Sequence, residues 1–520
     1  MLETIFAHET FGLPLLAIGL AAVCAAVYWV ISDWRYYSAI PGLGTYYPFL
    51  GHFPTIMKYR HSIAEHVRRR FAHFGHPSIV LLKAHLFDTP RYITIDPRVV
   101  EHMLKTNFDG YEISRGVRGD ALRDFLGDGI FNADGKKWLI QRKLASREFS
   151  ANRFRFFMSD VFNRGAAKLV RVIEGEIAAA PKGSVATIDL HRWFFTLTLD
   201  AFSEIAFGLD VGGLDNKPQP FVAAFDKCQE ACFERTTLYS GIWPFMKLFS
   251  IGPEGEIKKA LEVIDNFVYS VMDDLLAGKR QLAQGRADDS EEDLLRRLLP
   301  AAKRDDGTYD RVLVRDMLLS LIIAGRDTTA ASMSWTVYEL MQHPRVLKEV
   351  LDELDAVVGP SNALNFDNVG QCHFLQAVLS ESQRLHPSVP FDPKTAIQRD
   401  VLPDDKNQVI QKGDLLIFSN IAMGVSPKLW GPDASEFKPS RWMQADGTCR
   451  KEDQFKYPAF NGGKRLCLGL DMANLEMKVV LGTLLRKFDF ALVPGQNIVP
   501  AVALTLQMQN GLLVHPTLRK

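Results

Sequence analysis

The stretch Tyr457–Val480, YPAFNGGKRLCLGLDMANLEMKVV, joins a glycine-rich loop to a single cysteine and the start of a helical pattern. After Leu470 the apolar residues recur at helical spacing, which predicts a helix with one buried face: Ala473, Met477, Val480, Leu481 and Leu484. Cys467 precedes this helix, and glycines around it let backbone N–H groups approach the sulfur: Gly462, Gly463 and Gly469. Because the positive end of the helix dipole also points at the sulfur, the sequence predicts a site that favours thiolate over thiol.

A single cysteine before a helix is ambiguous, since a buried cysteine commonly packs as a small apolar side chain. The spacing around Cys467 is more specific, because Phe460, Gly463, Arg465 and Gly469 accompany it within ten residues. The five residues resemble the haem-ligand signature of the cytochrome P450 monooxygenases. The resemblance implies that Cys467 is the axial ligand of a haem b, and a thiolate ligand favours O–O cleavage. It also implies that Phe460 shields the sulfur, that Arg465 pairs with a haem propionate and that Gly469 lets the helix approach the ring.

The composition of the whole chain limits the classes of protein to which it can belong. Its 520 residues are 47% hydrophobic and 23% charged, which is ordinary for a globular protein. Length alone favours several domains, whereas the resemblance implies one large domain of the cytochrome P450 fold, mainly α with small β-sheets. The 61 basic and 61 acidic side chains balance, which leaves no overall basic field for nucleic acid. The six cysteines form no zinc-type knuckles or dense disulfide framework, which indicates a reducing cytosolic environment.

An uncharged apolar run at residues 11–31 is long enough to span a bilayer core of about 30 Å at about 1.5 Å per residue. A cleaved signal peptide is the alternative, but the run is long and no basic region precedes it. Basic residues follow it from Arg35 onward, so the positive-inside rule places the catalytic domain in the cytosol. We expect a single-pass protein of the endoplasmic reticulum with a short lumenal segment (1–10), a transmembrane helix (11–31), a proline- and glycine-rich hinge (32–56) and a haem-thiolate monooxygenase domain (57–520).

Two apolar segments within residues 78–95 flank a turn at Asp88-Thr89-Pro90, which predicts a β-hairpin. Residues 126–150 then combine a Gly/Asp loop with a helix that carries Trp138 and Arg142 on one face. This pair resembles the propionate-binding helix of the family; the alternative is a core tryptophan beside a surface arginine. The exposed side of the helix is basic, which suits an acidic electron-donor protein, with a solvated face as the alternative: Lys136, Lys137, Lys143 and Arg147.

Residues 310–343 are apolar through nearly their whole length and end before Pro344, which predicts a helix about 50 Å long through the interior. Within it, the motif AGRDTT at residues 324–329 opposes helix propensity, and such a local cost indicates function. By resemblance this is the oxygen-binding kink, where Gly325 leaves room for dioxygen while Asp327 and Thr328 relay protons. The alternative is a threonine that bonds back to a helix carbonyl. Ala324 lacks a carboxyl group that could esterify the haem, so we expect non-covalent binding.

Glu381 and Arg384 are spaced i, i+3 on a predicted helix, Phe374–Leu385, and unaided they would be an ordinary surface ion pair. They resemble the ExxR motif of the family, which with Arg441 forms a buried network behind the haem loop. The resemblance therefore gives these three residues a structural role in supporting Cys467.

The segment Pro387–Lys394 is expected to be an extended strand lining the pocket, with Lys394 reaching the second propionate. Longer stretches, among them residues 126–150 and 504–516, resemble the plant and fungal fatty-acid ω-hydroxylase branch. That branch implies oxygen insertion at or near the terminal methyl of a long acyl chain, with NADPH electrons delivered by a diflavin reductase. Attack on a primary C–H bond needs a narrow apolar channel. For each candidate channel residue the alternative is packing in the core. The candidates are Leu321, Val389, Phe391, Leu504 and Leu506.

Three other functions compete with this interpretation. A hydroxylase of a sterol or another lipophilic metabolite would share every motif. A peroxide-using hydroperoxide isomerase or lyase would share the cysteine loop, but such relatives usually lack the helix threonine, so Asp327 and Thr328 count against it. A haem sensor or membrane scaffold without catalysis would not need this pair. We expect a monomer whose partners are the bilayer, the reductase and a lipophilic substrate.

Overall fold

The computed structural model describes residues 3–150, 152–217, 219–277, 279, 293–359 and 363–519. Met1 and Leu2 of the predicted lumenal segment, and Lys520 of the predicted catalytic domain, lie outside the described residues. Helices make up most of this structure and the strands form small sheets, so the mainly α class with small β-sheets is confirmed.

Helices account for most of the chain between the N-terminus and the cysteine loop. In the described residues the α-helices are α1 (Glu3–Ser38), α2 (Phe53–Tyr59), α3 (Ile63–His73), α4 (Pro97–Glu101), α5 (Gly116–Leu126), α6 (Gly135–Ser150), α7 (Asn152–Ala179), α8 (Leu190–Phe207), α9 (Pro220–Thr236), α10 (Trp243–Leu248), α11 (Pro253–Leu276), α12 (Leu294–Leu298), α13 (Arg311–Gln342), α14 (Pro344–Val358), α15 (His373–Leu385), α16 (Asn420–Met423), α17 (Pro427–Trp430) and α18 (Leu470–Lys487).

The strands are short and, in the part of the chain that the structure describes, form four small sheets. They are β1 (Ile79–Leu82), β2 (Arg91–Thr94), β3 (Tyr111–Glu112), β4 (Ile188–Asp189), β5 (Phe391–Ala396), β6 (Asp400–Val401), β7 (Val409–Ile410), β8 (Leu415–Ser419), β9 (Phe488–Leu492), β10 (Pro500–Val502), β11 (Leu506–Met508) and β12 (Leu513–Leu518). The largest sheet has the order β1-β2-β8-β5-β3, in which only β2 and β8 pair in parallel. The remaining described strands form a three-stranded sheet, β4-β12-β9, and the pairs β10-β11 and β6-β7.

Helix α13 crosses the interior, as its apolar sequence predicts. The Asp310 carboxylate caps its first turn by accepting the Leu313 N–H at 3.0 Å, and the helix ends at Gln342, before Pro344. Its 32 residues correspond to about 48 Å, and most of its side chains are buried against α8, α15 and α18. The helix therefore reaches from one side of the domain to the other and can form one wall of an active site.

Several other predicted elements are confirmed, and one is displaced. The hairpin is the antiparallel pair β1-β2, and the helices expected before residue 385 and from Leu470 are α15 and α18. The strand expected at Pro387–Lys394 instead begins at Phe391 and continues to Ala396 as β5. The chain before Phe391 instead contacts α13, where the Ser388 hydroxyl bonds to the Ser332 hydroxyl and to the Thr328 carbonyl.

The N-terminal helix is longer than the apolar run. It continues to Ser38 because residues 32–38 contain no proline or glycine, and its segment Ile18–Ser38 is apolar and long enough to cross a membrane. Its end is attached to the domain by a buried ion pair between Asp33 and Lys83, whose N···O distance is 2.5 Å. The Tyr46 hydroxyl donates to the other Asp33 oxygen at 2.6 Å, and the Lys83 ammonium lies over the Tyr37 ring. These contacts fix the direction in which the helix leaves the domain.

Candidate active site

The loop before Cys467 is closed by its own hydrogen bonds. Two 3-10 turns, Pro458–Phe460 and Gly463–Arg465, precede the cysteine, whose backbone N–H donates to the carbonyl of Phe460 at 2.9 Å. Gly463 has a φ of 56°, and a Cβ atom there would lie 2.3 Å from the carbonyl oxygen of Leu104. The left-handed backbone and this close approach both require glycine. The loop conformation is therefore set by its sequence and by the helical turn that contains Leu104.

The Cys467 side chain carries accessible surface although the enclosing fold desolvates it, as expected for a group that faces an internal cavity. Burial raises the pKa of the Cys467 thiol, while the N–H of Gly469 and the guanidinium of Arg142 lower it by less. The prediction that the loop favours the thiolate is therefore wrong for the polypeptide alone. The amide contribution is present, but desolvation outweighs it. Coordination to a metal cation removes the proton from a thiol and reverses this balance.

Arg465 connects the cysteine loop to the start of α6. Its guanidinium donates to Asp134 Oδ1 at 2.6 Å and to the Ala133 carbonyl at 3.0 Å, and it lies 4.3 Å from the centre of the Trp138 ring. Burial lowers the pKa of Arg465 to about 10, although Asp134 and Asp392 act in the opposite direction. The structure thus brings Trp138, one of the predicted pair Trp138 and Arg142, against Arg465 of the cysteine loop.

Four cations gather around two carboxylates at this place. The positive charges of Arg118 and Arg142 add to the lowering of the Arg465 pKa. Burial, assisted by Arg465 and Arg118, likewise lowers the pKa of Lys394 despite its contact with Asp392 at 3.2 Å. The cluster carries an excess of two positive charges, since Asp134 and Asp392 are the carboxylates that oppose the four cations. This donor set fits a haem, whose two propionates would supply the missing negative charge.

No sequence motif marks Arg118, Asp134 or Asp392 as part of this site. Arg118 lies in α5 among other charged residues and belongs to no motif, so only the tertiary fold reveals it. Asp134 offers a weak signal, because an aspartate just before a helix is a common turn and cap residue. Its Oδ2 accepts the N–H groups of Ile113 and Ser114 at 2.9 and 2.7 Å. It therefore holds the chain before α5 as well as Arg465.

The motif on α13 lies in the middle of a buried helix, yet Ala324, Gly325 and Thr328 retain accessible surface. At this spacing they lie near one another on the helix surface, where they are the accessible positions of this motif. The Thr328 hydroxyl donates to the Ala324 carbonyl at 2.6 Å, which is the back-bonding geometry of the structural alternative. The helix is continuous through Gly325. The hydroxyl is therefore held in one place by the backbone of its own helix.

Gly325 allows close contact between α13 and α8. A Cβ atom added at Gly325 would lie 2.1 Å from Cδ2 of Phe202, well inside van der Waals contact. The space that the missing side chain leaves is thus taken up in part by the Phe202 ring. The predicted role of Gly325 beside dioxygen stays a prediction, and the packing role is a second reason for glycine here.

Gly325→Ala is expected to lower the free energy of unfolding by about 1–3 kcal/mol, because the added methyl overpacks against Phe202. Chemical denaturation followed by circular dichroism measures this change. Gly175→Ala is the matched control, since that glycine is also inside a helix but has no atom within 4 Å of its added Cβ. The control is expected to gain up to about 1 kcal/mol from helix propensity. A Gly325→Ala protein as stable as the control would contradict the packing role.

Asp327 is directed towards α9. Its Oδ1 lies 3.2 Å from Arg326, whose guanidinium also binds Asp226 of α9 at 2.5 Å. The carboxyl group is fully buried, and its Oδ2 has no hydrogen-bond partner among the described residues. In that part of the chain no hydrogen bond joins Asp327 to Thr328. The two residues are neighbours in sequence but have different partners, so their joint proton relay stays a prediction.

The burial of Asp327 predicts a pH dependence of stability. Burial raises the pKa of Asp327 to about 6, although the charge of Arg326 opposes this. A carboxyl whose pKa rises on folding contributes stability below its unfolded value of 3.8, and this contribution is lost as the pH rises through about 6. Asp327→Asn is therefore expected to lose less stability than the wild type between about pH 4 and about pH 6. Denaturation curves across this range, with Asp352→Asn as an exposed control, measure it. Identical pH slopes would refute the assignment.

Glu381 and Arg384 lie at the centre of a buried network with no exposed side-chain surface. Each carboxylate oxygen of Glu381 accepts from Arg384 at 2.7 Å, and the carboxylate also accepts from Trp442 Nε1 at 2.8 Å and from Arg441 at 3.4 Å. The Trp442 ring contacts Tyr457, the first residue of the cysteine loop, at a centroid distance of 4.8 Å. The structure therefore brings the three predicted residues together and connects them to the loop.

Two segments meet α13 at Thr328. Ser388 Oγ donates to the Thr328 carbonyl at 2.9 Å, and the Leu506 N–H donates to the Ser388 carbonyl at 2.9 Å. Beside these contacts the predicted channel residues Val389, Phe391 and Leu504 are partly exposed. Leu321 is 8% exposed, so it is largely buried. Leu506 has no accessible surface, so it packs in the core and does not line a channel.

The class of protein follows from four features: the fold, the cysteine loop, the buried network and the cationic cluster. Together they define a haem-thiolate protein. A family model described as Cytochrome P450 matches residues 41–518. Cytochrome P450 704C1 of Pinus taeda is 35% identical over 459 residues, 84% of this chain and 86% of that protein. Cytochrome P450 86B1 of Arabidopsis thaliana is 35% identical over 444 residues, 81% of this chain and 76% of that protein. Cytochrome P450 monooxygenase cyp1 of Mycosarcoma maydis is 34% identical over 447 residues, 81% of this chain and 67% of that protein.

The chain therefore belongs to the cytochrome P450 family. It is a monooxygenase of that family, whose members bind haem through a cysteine thiolate and receive electrons from a redox partner.

Proposed function

We propose that this protein hydroxylates long-chain fatty acids at or near the terminal methyl, with O2 and electrons that NADPH supplies through a diflavin reductase. The observation that carries the proposal is the meeting of apolar segments at Thr328, where Val389, Phe391 and Leu504 are partly exposed beside α13. Partly exposed apolar side chains beside one fixed hydroxyl would suit an unbranched acyl chain, because position along the chain then decides which carbon reacts. Resemblance to the fatty-acid ω-hydroxylase branch in residues 126–150 and 504–516 supports the same substrate class.

The chain supplies binding, orientation and proton control for a haem held non-covalently. In our proposal Cys467 ligates the iron, Phe460 shields the sulfur, and the cationic cluster holds the propionates: Arg118, Arg142, Lys394 and Arg465. The bound haem supplies the activation of O2. Ala324 has no carboxyl group, so no ester to the haem forms. The Thr328 hydroxyl is oriented by the Ala324 carbonyl and would be the group of this chain that holds a proton for the oxygen chemistry that a bound haem supplies.

Thr328→Ala is expected to divert reducing equivalents from product to hydrogen peroxide, because proton delivery loses its hydroxyl while electron transfer continues. Product and peroxide formed per NADPH consumed measure the effect, which we expect to reach about tenfold or more. Thr328→Ser keeps the hydroxyl and is the matched control. Unchanged coupling in Thr328→Ala would exclude this residue from proton delivery.

We further propose that the protein is a single-pass protein of the endoplasmic reticulum membrane with its catalytic domain in the cytosol. The segment Ile18–Ser38 supports a span, and basic residues after it support this orientation. An exposed apolar surface beside it supports a second contact with lipid: Ile242, Phe245, Leu248, Phe249 and Ile251. Phe245 and Leu248 are 68% and 75% exposed, which is unusual for a soluble surface.

The neighbours of this surface place it close to the proposed span. Ser240, just before it, hydrogen-bonds to Asp88 and Arg91 at the β1-β2 turn, each at 2.8 Å. Phe87 of that turn is 79% exposed, and its ring lies 5.9 Å from Trp29 of α1. The apolar surface and the proposed span therefore lie on the same side of the domain, where one bilayer can cover both.

The exposed side of α6 supports a docking surface for the reductase. Lys136, Lys137 and Lys143 are exposed and surround Leu139 and Ile140, which are 44% and 56% exposed. A basic rim around an apolar centre suits an acidic electron-donor protein. We propose that the protein acts as a monomer with this partner.

Product analysis tests the substrate class. The full-length protein is combined with a diflavin reductase, NADPH and a panel of medium- and long-chain fatty acids, and mass spectrometry locates the oxygenated carbon. Hydroxylation at or near the terminal methyl is expected, and the matching fatty alcohols show whether the carboxylate is needed. No acyl product from a protein with an intact haem-thiolate spectrum would overturn the fatty-acid proposal and favour a sterol or another lipophilic metabolite. If peroxide alone supports product formation as fast as the reductase and NADPH do, the result would favour the peroxide-using class.

A further inference from the structure

A cavity of about 600 Å3 lies between the end of α1, the connector after it and α3. Its walls include Trp34 and Tyr37 of α1, His52 before α2, and Arg70 and Phe74 at the end of α3. The lining also includes residues 39–42 and 44–48, and it contains no carboxylate side chain. It is separate from the cavity beside Cys467, since none of its residues belongs to the cysteine loop, α6 or α13.

Arg70 is a fixed cation in this cavity without an anionic partner. Its Nε and Nη2 atoms donate to the Gly42 carbonyl at 3.0 and 2.9 Å, and its guanidinium lies 4.4 Å from the centre of the Phe74 ring. No carboxylate in the described part of the chain forms an ion pair with it. The carbonyl and the ring hold the guanidinium in place, and one further edge of the planar group remains for an anion.

His52 adds a second donor to the same cavity. The side chain is 1% exposed, and its Nδ1 accepts the Lys83 N–H at 3.1 Å, which places the proton of the neutral ring on Nε2. Burial lowers the pKa of His52 to about 4, and the charge of Arg70 adds to this, so the ring is neutral at pH 7. The backbone of Gly44 acts in the opposite direction but does not meet hydrogen-bond geometry, and Nε2 has no hydrogen-bond partner among the described residues. A buried N–H donor without an acceptor is costly unless a ligand accepts from it.

We propose that this cavity binds the phosphate group of a membrane phospholipid. A fixed guanidinium, an unsatisfied N–H donor and the absence of lining carboxylates together match an anion with several acceptor oxygens. The cavity lies at the C-terminal end of the apolar segment Ile18–Ser38, where a span of this length brings residues to the level of the headgroups. Trp34 and Tyr37 are residue types that favour this interface.

The two parts of this proposal rest on different observations. The phosphate chemistry depends only on Arg70, His52 and the shape of the cavity. The choice of a phospholipid over free phosphate rests on the membrane anchoring proposed above. An experiment in detergent, without substrate or reductase, therefore tests the cavity separately from the proposed activity.

The test uses the full-length haem-loaded protein, delipidated in a phosphate-free maltoside detergent. Binding of dihexanoylphosphatidylcholine, of inorganic phosphate and of dihexanoylglycerol is measured by calorimetry and by phosphorus NMR for the first two. We expect one saturable phospholipid per protein, binding at least tenfold weaker in Arg70→Gln. Arg69→Gln is the matched control, because Arg69 comes directly before Arg70 on α3 but its side chain is 74% exposed and paired with Glu65. Arg70→Lys, which keeps the charge without the fork, is expected to bind with intermediate strength, and the haem spectrum checks the fold of each variant.

Each outcome either decides between a phospholipid headgroup and free phosphate or excludes the proposed phosphate site. Phospholipid binding that inorganic phosphate weakens only at high concentration supports the headgroup. Phosphate binding of equal strength, lost in Arg70→Gln, keeps the phosphate site but replaces the lipid by a free anion. Binding of dihexanoylglycerol as strong as that of the phospholipid would overturn the proposal, since the phosphate would then contribute nothing. Equal phospholipid binding in folded Arg70→Gln and Arg69→Gln would overturn it as well.

Discussion

Cys467→Ala is expected to lose the ferrous carbon-monoxide spectrum of a haem-thiolate protein and all monooxygenase activity. The thiolate is the only ligand that the cysteine loop offers, and it cannot be replaced by a neighbouring sulfur. Cys228, Cys232 and Cys372 have no accessible surface, and burial raises the pKa of each. None of them can therefore move to the cavity or ionise there.

Cys449→Ala is the matched control for this experiment. Cys449 is partly buried, and its sulfur makes only a weak contact of 3.7 Å with the Arg450 carbonyl. Its replacement removes the same side chain and is expected to leave spectrum and product formation unchanged. Haem content and thermal midpoint, measured for both variants, separate loss of the ligand from loss of the fold. A normal spectrum in Cys467→Ala would refute the ligand assignment.

Glu381→Ala is expected to lower the free energy of unfolding by about 3–5 kcal/mol, because Arg384 would remain buried without its carboxylate. The loss extends beyond one ion pair, since Trp442 Nε1 and the Lys438 N–H also donate to Glu381, at 2.8 and 2.9 Å. Because Trp442 packs on Tyr457, we also expect weaker haem retention. Thermal midpoints and haem content measure the two effects.

Two comparisons isolate the effect of burial. Lys348 and Asp352 form an exposed helical pair at 2.5 Å, similar in distance to the Glu381–Arg384 pair. Lys348→Ala is expected to cost less than about 1 kcal/mol, because water screens the exposed pair. The double variant Glu381→Leu/Arg384→Met removes both charges and is expected to recover part of the stability. A cost for Glu381→Ala no larger than for Lys348→Ala would contradict the role of this network.

Most of the fold could be predicted because its signals are local. The apolar periodicity of α13, its end before Pro344 and the turn between β1 and β2 depend on residues close in sequence. The spacing of Glu381 and Arg384 likewise places both on one face of α15. The displaced start of β5 shows the limit, since the residues just before Phe391 are held by contacts with the distant helix α13, which the local extended pattern does not reveal.

The active site could be predicted only where a motif marks it. Arg118 and Asp392 meet Arg465 through the fold, and nothing at their positions in the sequence indicates a shared site. The charge state of Cys467 also depends on the fold, because its local amides favour ionisation while the surrounding protein opposes it. Asp327 is similar, since Arg326, which it contacts, also binds Asp226 on a different helix, about a hundred residues earlier. The charge states and partners of these site residues therefore depend on electrostatic contacts between distant helices, which the spacing of residues in the sequence does not reveal.

The buried contact between Asp33 and Lys83 bears on how the protein can be shortened for crystallisation. A truncation that removes α1 up to Ser38 deletes the carboxylate but leaves the ammonium, 5% exposed, in a pocket shaped for an ion pair. Such a soluble version would carry an uncompensated internal charge and favour aggregation or partial unfolding. Cutting before Asp33 preserves the pair, the Tyr46 hydroxyl contact and the polar final turns of the helix while removing most of the apolar segment. The boundary of a water-soluble catalytic fragment therefore lies inside the last turns of α1, ahead of the point where the helix ends.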